Sequence, residues 1–448
     1  MNIQLSDHFD YKRILRFTMP SILMLVFTSI YGVVDGFFVS NFVDKTAFTA
    51  INFIWPYMMI LGAAGFMLGT GGSALISKLL GEGGAGAAGS AERANRTFSM
   101  LVYVSLVLGG ALAALGIFTV RPVAAMLGAE GDLLEDCVLY GRVLSASMPA
   151  FIMQNEFQSL CVTAERPKLG LFVTVGAGVT NMLLDALLVA VFPLGLLGAA
   201  LATAASQVVG GVIPLIYFAR KNPSLLKIGA PCLDLRALGR ICFNGSSELL
   251  ANISMSLVGM LYNVQLMDYA GEDGVAAYGV LMYVNFIFIS AFIGYAVGIA
   301  PVVGYHYGAG NYDELRGLRQ RSTRIVLAAS VAMFALSELL AYPLSYMFVG
   351  YDEVLMDMTL GGFRLYSFCF LFAGLAIFIS SFFTALNNGL LSAIQSFART
   401  LVFQVAGVLL LPLWLDLNGI WLSVVVSEML ALSLGIGLLV GFKKKYKY

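Results

Sequence analysis

The stretch Arg16-Phe-Thr-Met-Pro20-Ser-Ile-Leu-Met-Leu-Val-Phe-Thr-Ser-Ile-Tyr31-Gly-Val-Val-Asp35-Gly-Phe-Phe-Val-Ser-Asn-Phe-Val-Asp44 holds one acidic or basic side chain between its two ends, Asp35. As a helix it exceeds the ~20 apolar residues that cross a lipid hydrocarbon core. A carboxylate inside such a run costs from ~3 to more than ~10 kcal/mol. It persists where it faces a cavity and handles protons, ions or substrate, so transport chemistry is the first expectation.

Composition extends this to the whole chain. Of its 448 residues 59% are hydrophobic and 12% charged, with a mean hydropathy of +0.86. Soluble domains carry about a quarter charged residues, so the chain is expected to be a polytopic all-α membrane protein embedded in a lipid bilayer. Formal net charge is zero, which gives a nucleic acid nothing to bind. His8 and His306 are too far apart in sequence to suggest a metal site. Cys137, Cys161, Cys232, Cys242 and Cys369 are scattered and odd in number, and read as small apolar fillers rather than a disulfide framework. Asp7 and Asp10 ahead of the first apolar run, and the length of that run, argue against a cleaved signal peptide. Gly84 to Gly89 fits G-x-G-x-x-G, but no strand precedes it and no βαβ unit surrounds it, so it is expected to be a flexible cytoplasmic loop. Neither a phosphate-binding loop nor a cluster of catalytic groups is visible, and we expect neither an enzyme nor a cofactor.

Apolar segments bounded by Gly, Pro and charge clusters predict twelve transmembrane helices. They cover roughly 12–40, 48–80, 91–120, 134–160, 168–191, 194–218, 238–268, 274–306, 316–348, 354–386, 391–414 and 418–441. With the N-terminus cytoplasmic, 22 of the 26 Lys and Arg fall on the inner side, Lys78 and Arg399 among them near inner helix ends. Lys45, Arg121, Arg142 and Arg364 stay outside. By the positive-inside rule both termini are cytoplasmic, in a plasma (inner) membrane.

The chain also repeats itself. An offset of 227 lays Arg13-Ile14 on Arg240-Ile241, Gly71 on Gly298, and Gly81-Glu82-Gly83 on Gly308-Ala309-Gly310. Further along, an offset of 221 lays Thr163-Ala164 on Thr384-Ala385, Gly198 on Gly419 and Ser206 on Ser427. Six helices are duplicated, and six is even, so the halves share one orientation. Two six-helix bundles about a pseudo-two-fold axis along the membrane normal are expected, with a substrate site between them. The division is an N-terminal lobe 1–218, a polar connector 219–237 and a C-terminal lobe 238–448.

A second acid lies in Asn181-Met-Leu-Leu-Asp185, whose i,i+4 spacing puts both polar side chains on one helical face, as it does Tyr31 and Asp35. At ~1.5 Å per residue from the inner basic ends, Asp35 and Asp185 reach similar depth. Thr203 and Tyr140 approach from the outer ends of their own helices. Two carboxylates with an amide and hydroxyls suit a shared proton, and their hard oxygens suit Na⁺ equally. Glu248 lies in the inner half of helix 7, where contact with a cationic ligand and a structural hydrogen bond are equally open. Glu156 and Glu428 read as structural. Pro20, fifteen residues before Asp35, removes a backbone hydrogen bond and favours a kink.

With Pro20, Tyr31-Gly-Val-Val-Asp35, Gly71-Gly-Ser73-Ala-Leu-Ile-Ser77-Lys-Leu-Leu-Gly81-Glu-Gly83, Asn181-x-x-x-Asp185 and Tyr305-His-Tyr-Gly308-Ala-Gly310-Asn311, the chain resembles the multidrug and toxic-compound extrusion (MATE) family over nearly its whole length. The resemblance is closest to the prokaryotic branch of the DNA-damage-inducible F proteins. It implies a monomeric secondary antiporter that expels small amphipathic, often cationic compounds in exchange for H⁺ or Na⁺ by alternating access. It also implies a cation site at Asp35, Asn181, Asp185 and Thr203 with Tyr31 and Tyr140 nearby, and a kink at Pro20. Glu248 matches an acid used in the C-terminal half of another bacterial branch, but the acid that branch carries in helix 10 has only Asp357, near the outer end, to answer it. A lipid-linked oligosaccharide flippase is the competing reading, and would need basic residues in the central cavity.

Overall fold

The computed structural model describes residues 3–43, 45–230, 233–350 and 352–448; Val33, Gly36, Phe37, Ser40, Asn41, Lys45, Phe48 and Glu272 are described by their backbone alone. Asp44 and Cys232, named above, lie outside the described residues. The other four cysteines are free thiols. Every regular element among the described residues is helical.

Asp10 caps the first helix, its carboxylate accepting from the Arg13 amide at 2.7 Å. From there α1 runs Tyr11–Phe42, unbroken through Pro20. It is followed by α2 (Lys45–Gly84), α3 (Ser90–Met126), α4 (Gly131–Ala146), α5 (Met148–Thr163), α6 (Pro167–Asp185) and α7 (Gly195–Ala219). The glycine run between α2 and α3 makes a turn, with Gly86 and Gly89 at φ 93° and 75°. The second half holds α8 (Leu235–Gly308), α9 (Tyr312–Val349), α10 (Glu353–Ser367), α11 (Phe370–Ala385), α12 (Gly389–Phe397), α13 (Phe403–Leu410) and α14 (Pro412–Tyr446). Gly271, at φ 63° and ψ −153°, reverses the chain inside α8 and divides it into two arms, Leu235–Gly271 and Asp273–Gly308. Only glycine takes that backbone at no steric cost.

Among the described residues ten spans are long and apolar enough to cross a membrane, counting the two arms of α8 separately and α12 with α13 as one, and the pair α10 and α11, bent by 46°, makes an eleventh. The twelfth pass is the pair α4 and α5. Its polar residues, among them Glu135, Asp136, Arg142, Gln154, Asn155 and Glu156, lower its hydropathy, and most of those in α5 are buried rather than lipid-facing. The protein is thus an all-α multi-pass membrane protein of twelve passes in two lobes. The fourth pass of each lobe is broken at corresponding places, between Ala146 and Met148 and between Ser367 and Phe370. Each ends on a tight turn with a left-handed non-glycine residue, Glu165 (φ 57°) and Asn387 (φ 55°).

The lobes meet at the end that carries both termini. Ideal Cβ atoms built at Gly81 and Gly308 would stand 2.0 Å from the Tyr305 carbonyl and 2.1 Å from the Lys78 carbonyl. Lys78 and Tyr305 are partners in the repeat, as are Gly81 and Gly308, so one contact occurs twice by symmetry. Farther along, Ser29 Oγ lies 2.5 Å from Ser290 Oγ. Beyond it Gly32 in α1 and Gly259 and Gly279 in α8 face open space.

The N-terminal segment straps this closed end. Leu5 and Phe9 are fully buried. The Leu5 amide donates to Glu165 Oε1 at 2.6 Å, and the Phe9 amide donates to Glu314 Oε1 at 2.9 Å. His8 Nδ1 stands 2.6 Å from Glu314 Oε2, and Arg321 donates to the Phe9 carbonyl at 2.7 Å. Residues far apart in sequence, His8 and His306, therefore line one cleft of about 410 Å³ with Asn311, Glu314 and Arg321. Among the described residues no group of His, Cys, Asp or Glu is placed to hold a metal ion.

Candidate functional site

Four passes of the first lobe deliver the polar residues singled out in the sequence. Helices α1 and α6 pack together, α6 against α7, and α4 against α7. Asp35 of α1 is placed beside Asp185 and Asn181 of α6. Tyr31, one turn earlier, lies near Asp35 and reaches Gln154 of α5. The Tyr140 hydroxyl of α4 rests against Thr203 of α7, within charge range of both acids. Asn181, Asp185 and Tyr140 are buried at 1%, 0% and 1% exposure. Asp185 is also the last residue of α6, and the chain continues as a π-helical stretch, Ala186–Val191. Such stretches re-aim side chains and gather at functional sites.

The arrangement leaves oxygens unanswered. Asp35 Oδ1, both carboxylate oxygens of Asp185, Asn181 Oδ1 and Thr203 Oγ1 are buried without a hydrogen-bond partner among the described residues. Native interiors pair nearly all such atoms. Adjacent carboxylates in a poorly polarisable site repel unless a proton or cation lies between them. A cluster of hard oxygen acceptors is chemically suited to either.

The remaining sites fall out differently. Glu156 Oε2 accepts from Ser105, while its Oε1 has no partner among the described residues. Glu248, half-buried in the first arm of α8, lies within charge range of Arg399. Arg399 corrects the expectation of an arginine near an inner helix end. Its side chain, 17% exposed, turns into the second lobe, its Nε donating to Glu428 Oε2 at 2.7 Å and Oε1 at 3.0 Å. Glu428 is consequently half of an ion pair rather than mere packing. Sequence position alone hid this, because an arginine ten residues into a helix can point inward or toward an edge. The same pairing engages Arg399, so this guanidinium is not free to meet a diphosphate.

The MatE family model matches residues 20–187 and again 249–409, once in each lobe. The chain belongs to the MatE family. Among similar MatE relatives is the multidrug export protein MepA of Staphylococcus saprophyticus, 24% identical over 417 residues, covering 92% of this chain and 88% of that one. MepA of Staphylococcus aureus strain MRSA252 is 23% identical over 92% of this chain and 88% of its own. In fold, the chain is similar to a multidrug resistance MATE family transporter in an outward-facing conformation, with a TM-score of 0.92 and 23% identity over 100% of this chain and 98% of that one. It is also similar to a MOP superfamily transporter from Pyrococcus furiosus, with a TM-score of 0.90 and 23% identity over 98% of both chains.

Proposed function

We propose that the protein is a secondary active antiporter that exports small amphipathic, often cationic compounds in exchange for H⁺ or Na⁺, working as a monomer in the inner membrane with both termini cytoplasmic. The observation that carries the reading is the gathering of Asp35, Asp185, Asn181 and Thr203, five of whose buried oxygens have no partner among the described residues. The multidrug export relatives supply the substrate class.

In this mechanism the chain is closed at its cytoplasmic end, by the Gly81 and Gly308 contacts and the N-terminal strap, while the first-lobe acids communicate with the outside. An incoming cation bridges Asp35 and Asp185, with Asn181 and Thr203 supplying neutral oxygens and Tyr31 and Tyr140 bounding the site. Relief of carboxylate repulsion favours a tighter packing of α1 on α6. That packing expels the exported compound outward, and Pro20 supplies the missing backbone bond about which α1 bends. One pH unit supplies ~1.4 kcal/mol per proton, and 100 mV supplies ~2.3 kcal/mol per charge, enough to sustain a gradient without ATP.

Efflux of a fluorescent cationic dye from proteoliposomes, with H⁺ and Na⁺ gradients imposed separately, tests the proposal. One of the two gradients drives efflux in the native protein and neither does in Asp35→Asn. Native-level efflux in that variant rules the mechanism out.

A further inference from the structure

The second lobe holds its own buried polar cluster, and it is built the other way round. Arg399 lies in a π-helical stretch, Ala398–Val402, that interrupts the fifth pass of the lobe, where in the first lobe the π-helical stretch Ala186–Val191 ends the fifth pass. Its guanidinium meets Glu428 of α14 at 2.7 Å, with side chains 17% and 5% exposed. Glu248 of α8 lies within charge range of the same guanidinium. Alongside, the Tyr262 hydroxyl donates to Gln404 at 2.9 Å and lies 2.6 Å from Ser423 Oγ. In the repeat, Tyr262 stands where the first lobe has Asp35, and Glu428 stands where it has Gln207.

We infer that Arg399 is the second lobe's tethered cation, which fills with its own guanidinium the place beside Glu428 that a free Na⁺ would take, and so confines ion exchange to the first lobe. The inference rests on the ion-coupling reading above. A guanidinium keeps its charge at every physiological pH. Being covalently held, it is never diluted, and a dissolved ion has to displace it from a short contact with Glu428. With Arg399 in place its charge and that of Glu428 cancel. Removing the guanidinium leaves the buried Glu428 carboxylate without its partner, beside the volume the guanidinium filled.

The test is equilibrium binding of radioactive sodium, at alkaline pH, to the full-length protein in lipid nanodiscs. The comparison of wild type with Asp35→Asn/Asp185→Asn reads the first lobe alone, so failure of the antiport reading shows there and nowhere else. Into that silenced double variant Arg399→Gln is then introduced. The silenced protein with Arg399 intact binds no Na⁺, Arg399→Gln restores one ion per chain, and adding Glu428→Gln removes it again. Arg399→Lys, still a tethered cation, binds none. Arg399→His binds Na⁺ above the titration of its imidazole and not below, and a variant that stays folded only in Na⁺ counts as binding. The inference is overturned if the silenced protein binds Na⁺ with Arg399 present. It is equally overturned if Arg399→Gln and Arg399→His both bind none, or both unfold whether or not Na⁺ is supplied.

Discussion

The two lobes share a scaffold and treat buried charge in opposite ways. In the first, Asp185 ends α6 with both carboxylate oxygens unpartnered and Asp35 beside it. In the second, Arg399 answers Glu428 with two hydrogen bonds from one nitrogen, and Tyr262 spends its hydroxyl on Gln404 and Ser423. Even the repeat partner of Glu428 is quiet: Gln207 Oε1 accepts from Ser147 at 2.6 Å. At these corresponding places the first lobe leaves its acids without partners among the described residues, and the second pairs its charges with each other. Duplication supplies the geometry, and the side chains divide the labour.

The sharpest way to break this comparison is at the acids. Asp35→Asn and Asp185→Asn each abolish gradient-driven efflux while the purified protein still elutes as a monodisperse species. An equal loss from neutralising Glu248 would show that the second lobe couples too.

The next effect is on stability. Arg399→Leu strands a buried carboxylate and lowers stability by ~3–5 kcal/mol, whereas the double change Arg399→Leu/Glu428→Leu lies near neutral. Thermal-unfolding midpoints of the three proteins in one detergent read the difference. A double variant as unstable as the single one would mean that Arg399 serves partners besides Glu428.

Smaller, and symmetric, is the effect at the seam. A methyl group at Gly81 or Gly308 meets a carbonyl of the other lobe at 2.0 or 2.1 Å, so Gly81→Ala and Gly308→Ala each weaken the closed end by ~1–3 kcal/mol. Cysteine cross-linking between the strap and α9 falls by the same factor in both. Unequal losses would mean the lobes do not share the closure evenly.

The smallest effect concerns the strap. Glu165 lies outside the spans, and burial raises its carboxyl above the ordinary 4.5, with Asp7 adding to the rise while the Leu5 amide and Arg166 lower it. A carboxyl raised on folding contributes stability below its unfolded-state value, and that contribution is lost as pH climbs through the folded value. Hydrogen exchange at the Leu5 amide therefore quickens, beyond the intrinsic chemical dependence, as pH rises from about the ordinary 4.5, and Glu165→Gln removes that excess. An unchanged pH dependence in Glu165→Gln would rule Glu165 out as its source.

Much of the fold was legible because hydropathy in a membrane is a strong constraint: the backbone must satisfy itself, so long apolar runs become helices. The polar Gly271-Glu-Asp-Gly274 run marked the reversal in α8, and the glycine offsets marked the repeat. The breaks within the fourth passes were not legible. Pro149 is a usable signal in the first lobe, but the second has no proline or glycine between Arg364 and Phe370. At the site, the i,i+4 pairs placed Asn181 and Asp185 on one face, and depth matched Asp35 to Asp185. Arg399 escaped because counting charges toward the nearest helix end says nothing about which way a side chain turns, and a π-helical stretch rotates that direction. The meeting of His8 with His306 escaped for a different reason, since nothing local fixes where an unstructured leader docks.

The reciprocal contact of Gly81 with Tyr305 and Gly308 with Lys78 has the form of an isologous interface, in which site i meets j and j meets i. It is the seam of a symmetric dimer preserved inside one polypeptide. Each half therefore carries an address for the other that does not depend on the connector between them. Expressed as two separate chains, the halves possess at that seam the complementarity needed to find one another in the bilayer.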